Sequence, residues 1–288
     1  MTALLGAVEL GLLYSLVGLG VYLSFRILDF PDLTVDGSFP LGSVVAATLI
    51  VQGVHPIIAT AIAILAGGLA GACTAWLTVQ FKILNLLSSI LTAIALYSIN
   101  LRIAGRPNVP LLGETTLFSP LSELSLPRQV AIPLVLAFAI VFIKLALDWL
   151  LATDWGLSVR ATGANPTMAE AAGIYTGRVT ILGMALSNSL VALAGALFAQ
   201  IYGFADVALG VGTIVLGLAA VIIGETVIPG KTVVRATLGV VCGAILYRLA
   251  VALALNANFI GLKAQDLNLV TAVLVAIALI LPQIHAKH

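Results

Sequence analysis

Long apolar segments dominate this sequence and leave it few ways to fold. Hydrophobic residues make up 61% of the 288 residues, whereas Asp, Glu, Lys and Arg together make up only 9%. Ordinary soluble domains are about one quarter charged, and a soluble protein of this length needs that charge to cover its surface. The sequence therefore predicts an integral membrane protein. Its net charge of +1 gives no basis for a nucleic-acid partner.

Apolar segments of about 20 residues, the length that crosses a bilayer as a helix, recur along the whole chain. We predict an all-α, polytopic transmembrane bundle of about nine spans, folded as one domain over residues 1–288. Pro31, Gly37 and Pro40 punctuate the second span, so a broken or re-entrant helix is expected near residues 29–44. The predicted spans are Ala3 to Ser24, Leu33 to Val54, Ile57 to Gln80, Ile83 to Ala104, Val130 to Leu151, Val179 to Gln200, Val211 to Ile228, Ala236 to Leu255 and Leu267 to Leu281.

The distribution of Lys and Arg orients the bundle, because cytoplasmic loops of membrane proteins are enriched in both. We expect the richer side to be cytoplasmic, which places the N-terminus outside and the C-terminus in the cytoplasm. The richer side carries Arg26, Lys82, Arg160, Arg178, Lys231, Arg235 and Lys287. The poorer side carries Arg102, Arg106, Arg128 and Lys263.

One polar segment, GLSVRATGANPTMAEAAGIYTGRVT, interrupts the apolar pattern between the fifth and sixth predicted spans. Asn165 is a favourable N-cap, Pro166 suits the first helical turn and Gly173 is a natural stop, so residues 167–172 are predicted to form a helix of about two turns. A helix this short is unstable alone in water. Its small side chains fit a groove in a partner protein better than a membrane surface. An ordinary connector between spans is the alternative.

A longer segment, TDWGLSVRATGANPTMAEAAGIYTGRVTILGMALSNSLVALAGALFAQIYGF, resembles the cytoplasmic loop and following span of ABC-importer permeases of the branched-chain amino-acid and ribose superfamily. The family pattern is G-x-x-x-R-A-x-G-x-N, then A-x-x-x-G-I, then a stretch of small residues. Two further segments, DFPDLTVDGSFPLGSVVAA and GVGTIVLGLAAVIIGETV, are similar to a subgroup associated with binding lipoproteins of the tryptophan/tyrosine type. The positions that match the pattern are Gly156, Arg160, Ala161, Gly163, Asn165, Ala169, Gly173 and Ile174, followed by Ala194 and Gly195.

The resemblance implies a permease subunit in the bacterial cytoplasmic (inner) membrane that imports a small polar solute, foremost an aromatic amino acid. A cytoplasmic ABC ATPase dimer would bind the coupling loop at residues 152–179, and an external substrate-binding lipoprotein would deliver the solute. A second copy of the chain would complete the pathway within the lipid. The expected ATPase-docking residues, which form the coupling helix, are Asn165, Pro166, Thr167, Met168, Ala169, Glu170, Ala171, Ala172 and Gly173.

The chain itself is not expected to hydrolyse ATP, so ATP and Mg²⁺ are expected only in the partner ATPase. The stretch from Gly224 to Thr232 resembles a phosphate-binding loop, but Glu225 stands where that motif requires glycine, and its carboxylate would repel a phosphate. No catalytic or metal-binding constellation can be assembled from the sequence. The alternative function is a secondary transporter driven by an ion gradient, which would need an acid within the membrane such as Asp36.

Polar residues within spans are costly in a bilayer, so they face either neighbouring helices or a water-filled path. Asp36 is also expected to cap the helix that continues after the break, and Asn100 lies nearly on the same face as Thr92. Lys144 and Asp148, one turn apart in the fifth span, are predicted to form an ion pair. The candidates for the substrate path are Asp36, Gly37, Ser38, Asn85, Ser88, Ser89, Thr92 and Asn188.

Overall fold

The computed structural model describes residues 2–120, 127–230, 232–256, 273 and 276. A π-helical turn, Tyr22–Ile27, extends the first helix, and a 3-10 turn, Val207–Gly210, precedes the ninth. The regular elements are α1 (Thr2–Val21), α2 (Val35–Val51), α3 (Pro56–Phe81), α4 (Asn85–Ala104), β1 (Asn108–Pro110), α5 (Arg128–Ala152), α6 (Asp154–Ala164), α7 (Pro166–Ala171), α8 (Thr176–Tyr202), β2 (Phe204–Asp206), α9 (Thr213–Val227) and α10 (Val233–Asn256).

Within the described residues, seven helical segments are long and apolar enough to cross a membrane, and α2 is a shorter apolar helix. The chain is therefore an all-α, multi-pass membrane protein. Eight of the predicted spans correspond to α1–α5 and α8–α10, with ends that differ by a few residues. The ninth prediction, residues 267–281, lies almost wholly outside the described residues.

A non-helical stretch leads into the second predicted span. Residues 29–33 are not helical, and Asp29 has a left-handed backbone with φ +53°. At the end of this non-helical stretch, the hydroxyl of Thr34 forms a hydrogen bond with that of Thr74 on α3, with the two oxygens 2.7 Å apart. Helix α2 begins at Val35 and has 17 residues, so the helix of the span predicted from Leu33 begins two residues later and follows a non-helical stretch.

Helix α8 is the centre of the bundle, packed against α1, α2 and α3. Small residues let these backbones approach closely where lipid supplies no hydrophobic drive between helices. A Cβ added at Gly195 would lie 1.9 Å from the carbonyl oxygen of Phe39 on α2, and one added at Gly71 would lie 2.2 Å from that of Met184. Glycine at these two positions is therefore required by the packing of α8 on its neighbours.

The bundle has two distinct ends. We call the end that carries α6 and α7 the loop end; the turn that finishes α1 lies there, and Arg26 on that turn pairs with Glu225 of α9 at 2.6 Å. At the opposite end, the strand end, β1 and β2 pair antiparallel. The sequence indicated neither these short strands nor helix α6, which occupies 11 residues at the start of the predicted polar loop.

Candidate functional site

Helix α7 lies in the polar segment that links α6 to α8, and its capping follows the sequence prediction. The side chain of Asn165 accepts a hydrogen bond of 3.0 Å from the backbone N–H of Met168. Pro166 occupies the first turn, and Gly173 has φ +87°, which ends the helix in the left-handed region that glycine favours. The helix covers Pro166–Ala171, so it begins one residue earlier than predicted.

Most of α7 projects from the bundle. Only Ala169 is buried, whereas Met168 is 72% exposed. The hydroxyl of Thr176 donates a 2.6 Å hydrogen bond to Glu170 and ties the end of α7 to the start of α8. Next to this tie Tyr175 is 74% exposed. A short helix that presents Met168 to solvent while fixed at both ends is suited to entering a groove in another protein.

Two close contacts connect this segment to the spans. A Cβ at Gly163 on α6 would lie 1.8 Å from the carbonyl oxygen of Ile27, so α6 rests directly on the turn that finishes α1. At the start of α8, a Cβ added at Gly177 would lie 2.7 Å from a side-chain methyl group of Val79 on α3. A displacement of α7 would therefore be transmitted to the end of α1 through a direct backbone contact, and to α3 through the side chain of Val79.

Inside the bundle, Asp36 joins two helices that begin close together. Its Oδ1 accepts a hydrogen bond of 2.9 Å from the backbone N–H of Ile214, and its Oδ2 accepts one of 3.4 Å from Gly212. The prediction that Asp36 caps its own helix is therefore wrong: Asp36 lies within the first turn of α2, and its carboxylate caps α9. The attraction of a carboxylate to the positive end of a helix is the same in both cases.

A cavity of about 230 Å³ lies beside this junction. Asp36 and Gly37 of α2 line one side, and Tyr97 and Asn100 of α4 line the other. Asn100 is fully buried; its Nδ2 donates a 3.2 Å hydrogen bond to the carbonyl oxygen of Gly37, and its Oδ1 accepts none from any described residue. Two of the candidate path residues, the neighbours Asp36 and Gly37, thus line this cavity.

Ser38 and Asn188 are brought together elsewhere, in a buried polar network. Ser38 donates a 2.7 Å hydrogen bond to Oδ1 of Asn188, and Nδ2 of Asn188 donates one of 2.8 Å to Oδ2 of Asp32. All three residues are fully buried. The neighbours of Asn188 are also engaged: Ser187 bonds the carbonyl oxygen of Gly20 at 2.7 Å, and Ser189 that of Ile64 at 3.1 Å.

The polar stripe of α4 is turned into the bundle. Ser88, Ser89 and Thr92 are buried and Asn85 is half-buried. Ser88 lies 2.6 Å from the hydroxyl of Thr78 on α3, whereas Ser89 and Thr92 bond to carbonyl oxygens of α4 itself. These contacts correspond to the alternative interpretation of the stripe, hydrogen bonding within and between helices.

Asn100 was not among the path candidates chosen from the sequence. The position of Tyr97 at the cavity and the hydrogen bonding of Asp32 were not predicted. Asn100 could have been selected by its spacing of eight residues from Thr92, which places both on one helical face. Asp32 carried no comparable signal, because its partner Asn188 is 156 residues away in the chain. The ion pair predicted between Lys144 and Asp148 is confirmed, with 2.5 Å between Nζ and Oδ2.

This arrangement, a multi-pass bundle with polar groups gathered at a broken span and a capped helix projecting from one end, defines the chain as a transport permease. Residues 3–281 match the family model described as the permease component of the branched-chain amino acid transport system. The chain belongs to this family, whose members are the membrane subunits of ATP-driven ABC importers. The family resemblance stated from the sequence is confirmed.

Two of the relatives match nearly the whole chain, and a third matches less than half of it. A tyrosine transport system permease protein of Clostridioides difficile is 41% identical over 276 residues, which cover 96% of this chain and 90% of the relative. An uncharacterized protein of Rickettsia prowazekii, RP368, is 35% identical over 286 residues, or 97% of each chain. The autoinducer 2 import system permease protein LsrC of Salmonella typhimurium is 35% identical over 127 residues, 44% of this chain and 35% of the relative. No solved structure matches.

Proposed function

We propose that this permease imports an aromatic amino acid across the bacterial inner membrane, as one half of a homodimer coupled to a cytoplasmic ATPase dimer. The capped, exposed helix α7 is the observation that carries the coupling role, and the 41% identical tyrosine permease supports the substrate class. In this arrangement the loop end is cytoplasmic and the strand end faces outward. Arg26, Lys82 and Arg178, which lie near the loop end, favour that orientation.

Helix α7 is the coupling helix in this proposal. Met168 would enter a groove in the ATPase, and residues 165–173 would move with the ATPase when ATP closes the ATPase dimer. The direct backbone contact between Gly163 and Ile27 would pass this movement to α1. The substrate path would then open to alternate sides of the membrane.

The strand end is the proposed surface for the external binding lipoprotein. A cavity of about 660 Å³ lies there, lined by residues that include Glu114, Arg128, Tyr202 and Phe204. Leu112 beside it is 89% exposed. An exposed apolar residue flanked by charged groups resembles the centre and rim of a protein interface.

The alternative, a secondary transporter that works without an ATPase, would use Asp36 as its ion-coupling acid. In the structure the carboxylate of Asp36 accepts hydrogen bonds from the α9 backbone. Asp36 therefore has a structural role as the cap of α9, and that role does not involve ion coupling. We therefore favour the ATP-driven importer.

The coupling role can be tested by scrambling residues 166–172 without changing their composition. The permease is produced together with its partner ATPase and binding lipoprotein, and uptake of radiolabelled L-tyrosine is measured against ATP consumption. The scrambled protein is expected to insert normally, to recover less ATPase on purification and to lose uptake. Ser158→Ala on α6 is the matched control, because Ser158 bonds only to the carbonyl oxygen of Asp154 in its own helix.

Undiminished uptake by the scrambled protein, with the ATPase still bound, would show that α7 is only a connector. Uptake by the permease alone in liposomes, driven by an ion gradient, would favour the secondary transporter instead.

A further inference from the structure

Two helices start at one point inside the bundle and run to opposite ends. Helix α2 runs from Val35 towards the strand end, and α9 runs from Thr213 towards the loop end. Ser38, in the second turn of α2, bonds Asn188 near the middle of α8, so this junction lies within the membrane span. The positive ends of two helix dipoles therefore converge there, and the carboxylate of Asp36 lies between them.

The cavity beside the junction has its own unsatisfied polar atom. Oδ1 of Asn100 is buried, and no described residue donates a hydrogen bond to it. Buried polar atoms are almost always paired, so an acceptor beside a cavity that no described residue pairs is suited to a donor supplied by a bound ligand. Asp36 is only half-buried and lines the same cavity, which gives that donor a second acceptor with a negative charge.

These acceptors select the chemistry of the ligand. No Lys or Arg is among the described residues that line the cavity, and the positive helix ends already face the carboxylate of Asp36, so a second carboxylate would be repelled there. A bare metal ion is coordinated by about six or more oxygen atoms, whereas the described side chains that line the cavity offer few. The oxygens of Asp36 already accept from the α9 backbone, but a carboxylate can accept about four hydrogen bonds, so it retains capacity for a ligand. An alkylammonium group, with several N–H donors and one positive charge, matches two acceptors of which one is ionised.

The rim of the cavity fits the rest of such a ligand. Tyr97 and Ile94 of α4 are 57% and 64% exposed, and Val211 is 83% exposed. These side chains would contact an apolar or aromatic group attached to the ammonium. A polar cavity that opened onto lipid would be costly, so its opening is expected to face a path that holds water.

We propose that this cavity binds the α-ammonium group of the transported amino acid during its passage, with Asp36 and Asn100 as the acceptors and Tyr97 beside the side chain of the substrate. This inference rests on the proposed function for the identity of the ligand. The two acceptor groups are observed in the structure and do not depend on the proposed function.

Protection of a single cysteine tests the proposal. Tyr97→Cys is made in a background in which Cys73 and Cys242 are replaced by serine. The permease–ATPase complex is reconstituted in nanodiscs and labelled with a charged, water-soluble methanethiosulfonate. Three probes are compared: L-phenylalanine, phenethylamine, which lacks the carboxylate, and 3-phenylpropionate, which lacks the ammonium.

L-Phenylalanine and phenethylamine are expected to slow the labelling, and 3-phenylpropionate is not. Adding Asn100→Leu removes one acceptor and is expected to raise the probe concentration needed for protection about tenfold. Leu112→Cys at the strand end is the matched control, because that position is 89% exposed and does not line this cavity; no probe should protect it.

Protection by 3-phenylpropionate as strong as by phenethylamine would overturn the proposal, as would protection by sodium ions alone. Protection that survives Asn100→Leu unchanged, or no protection by any probe, would also overturn it. These results are separable from failure of the proposed function. If ATP-driven uptake persists but no probe protects the cysteine, only the proposed cavity site is rejected. If probes protect the cysteine but no ATPase binds the permease, only the proposed ATP-driven import is rejected.

Discussion

Nδ2 of Asn188 donates a 2.8 Å hydrogen bond to Oδ2 of Asp32, and this pair fixes the non-helical stretch before α2 against the middle of α8. Both side chains are fully buried. The other oxygen of Asp32 accepts a 2.8 Å hydrogen bond from the backbone N–H of Thr34, just before α2 begins. Asp36 and Gly37 of α2 line the cavity beside the junction of α2 and α9. The position of that cavity therefore depends on the hydrogen bond between Asn188 and Asp32.

Replacing Asn188 with leucine is expected to lower the free energy of unfolding by about 2–3 kcal/mol, since the buried carboxylate of Asp32 loses a partner. Thermal unfolding in detergent, followed by the exposure of cysteine, measures the change. Asn85→Leu is the matched control, because the Asn85 side chain is half-buried and bonds no described residue. We expect the control to change stability by less than about 0.5 kcal/mol. Equal stability of the two variants would contradict a structural role for Asn188.

The cap of α7 predicts a second result. Asn165→Ala removes the side chain that accepts from the N–H of Met168, which costs a helix about 1 kcal/mol. We expect about fivefold less ATPase to remain bound to the purified permease at limiting concentration. Asn165→Asp keeps an acceptor at the same position and is expected to retain the ATPase. Equal loss in both variants would mean that the amide itself, rather than the cap, contacts the ATPase.

The parts of this structure that were predictable from sequence are those set by neighbours in the chain. Asn165, Pro166 and Gly173 specify α7 through backbone preferences within one short segment, and a spacing of four residues placed Lys144 beside Asp148. The capping of α9 by Asp36 depends instead on residues 178 positions apart. No local preference carries that information.

Helix α6 was missed for a related reason. Gly156 and Gly163 lower the intrinsic helix propensity of residues 154–164, so the segment resembles a loop. The structure shows why both are glycine: a Cβ at Gly156 would lie 2.4 Å from the carbonyl oxygen of Leu150, and one at Gly163 would meet Ile27. Tertiary packing outweighs local propensity at these two positions.

The contact between Gly163 and Ile27 gives a third prediction. Gly163→Ala places a methyl group 1.8 Å from the carbonyl oxygen of Ile27, so α6 must move away from the first span. We expect the ATPase to remain bound, because α7 is unchanged, while tyrosine uptake per ATP consumed falls. Gly6→Ala is the control, since nothing lies within 4 Å of an added Cβ there. Uptake and ATP consumption that fall in parallel would indicate misfolding rather than uncoupling.

The ion pair within α5, which Thr237 links to α10, provides a fourth prediction. Lys144 and Asp148 are 8% and 7% exposed, and the hydroxyl of Thr237 donates a 2.6 Å hydrogen bond to Oδ1 of Asp148. Lys144→Met leaves a buried carboxylate without its cation, and we expect this change to cost about 3–5 kcal/mol of stability. Thermal unfolding in detergent gives the measurement.

The double variant Lys144→Met with Asp148→Leu removes both charges, and we expect it to be more stable than the single variant. The hydroxyl of Thr237 still reaches the carbonyl oxygen of Val234 at 3.2 Å, so no buried polar atom loses its last partner. Burying two charges is costly in itself, and apolar replacements of similar volume often recover that cost. A double variant less stable than Lys144→Met would show that Asp148 stabilises α10 through Thr237 independently of the ion pair.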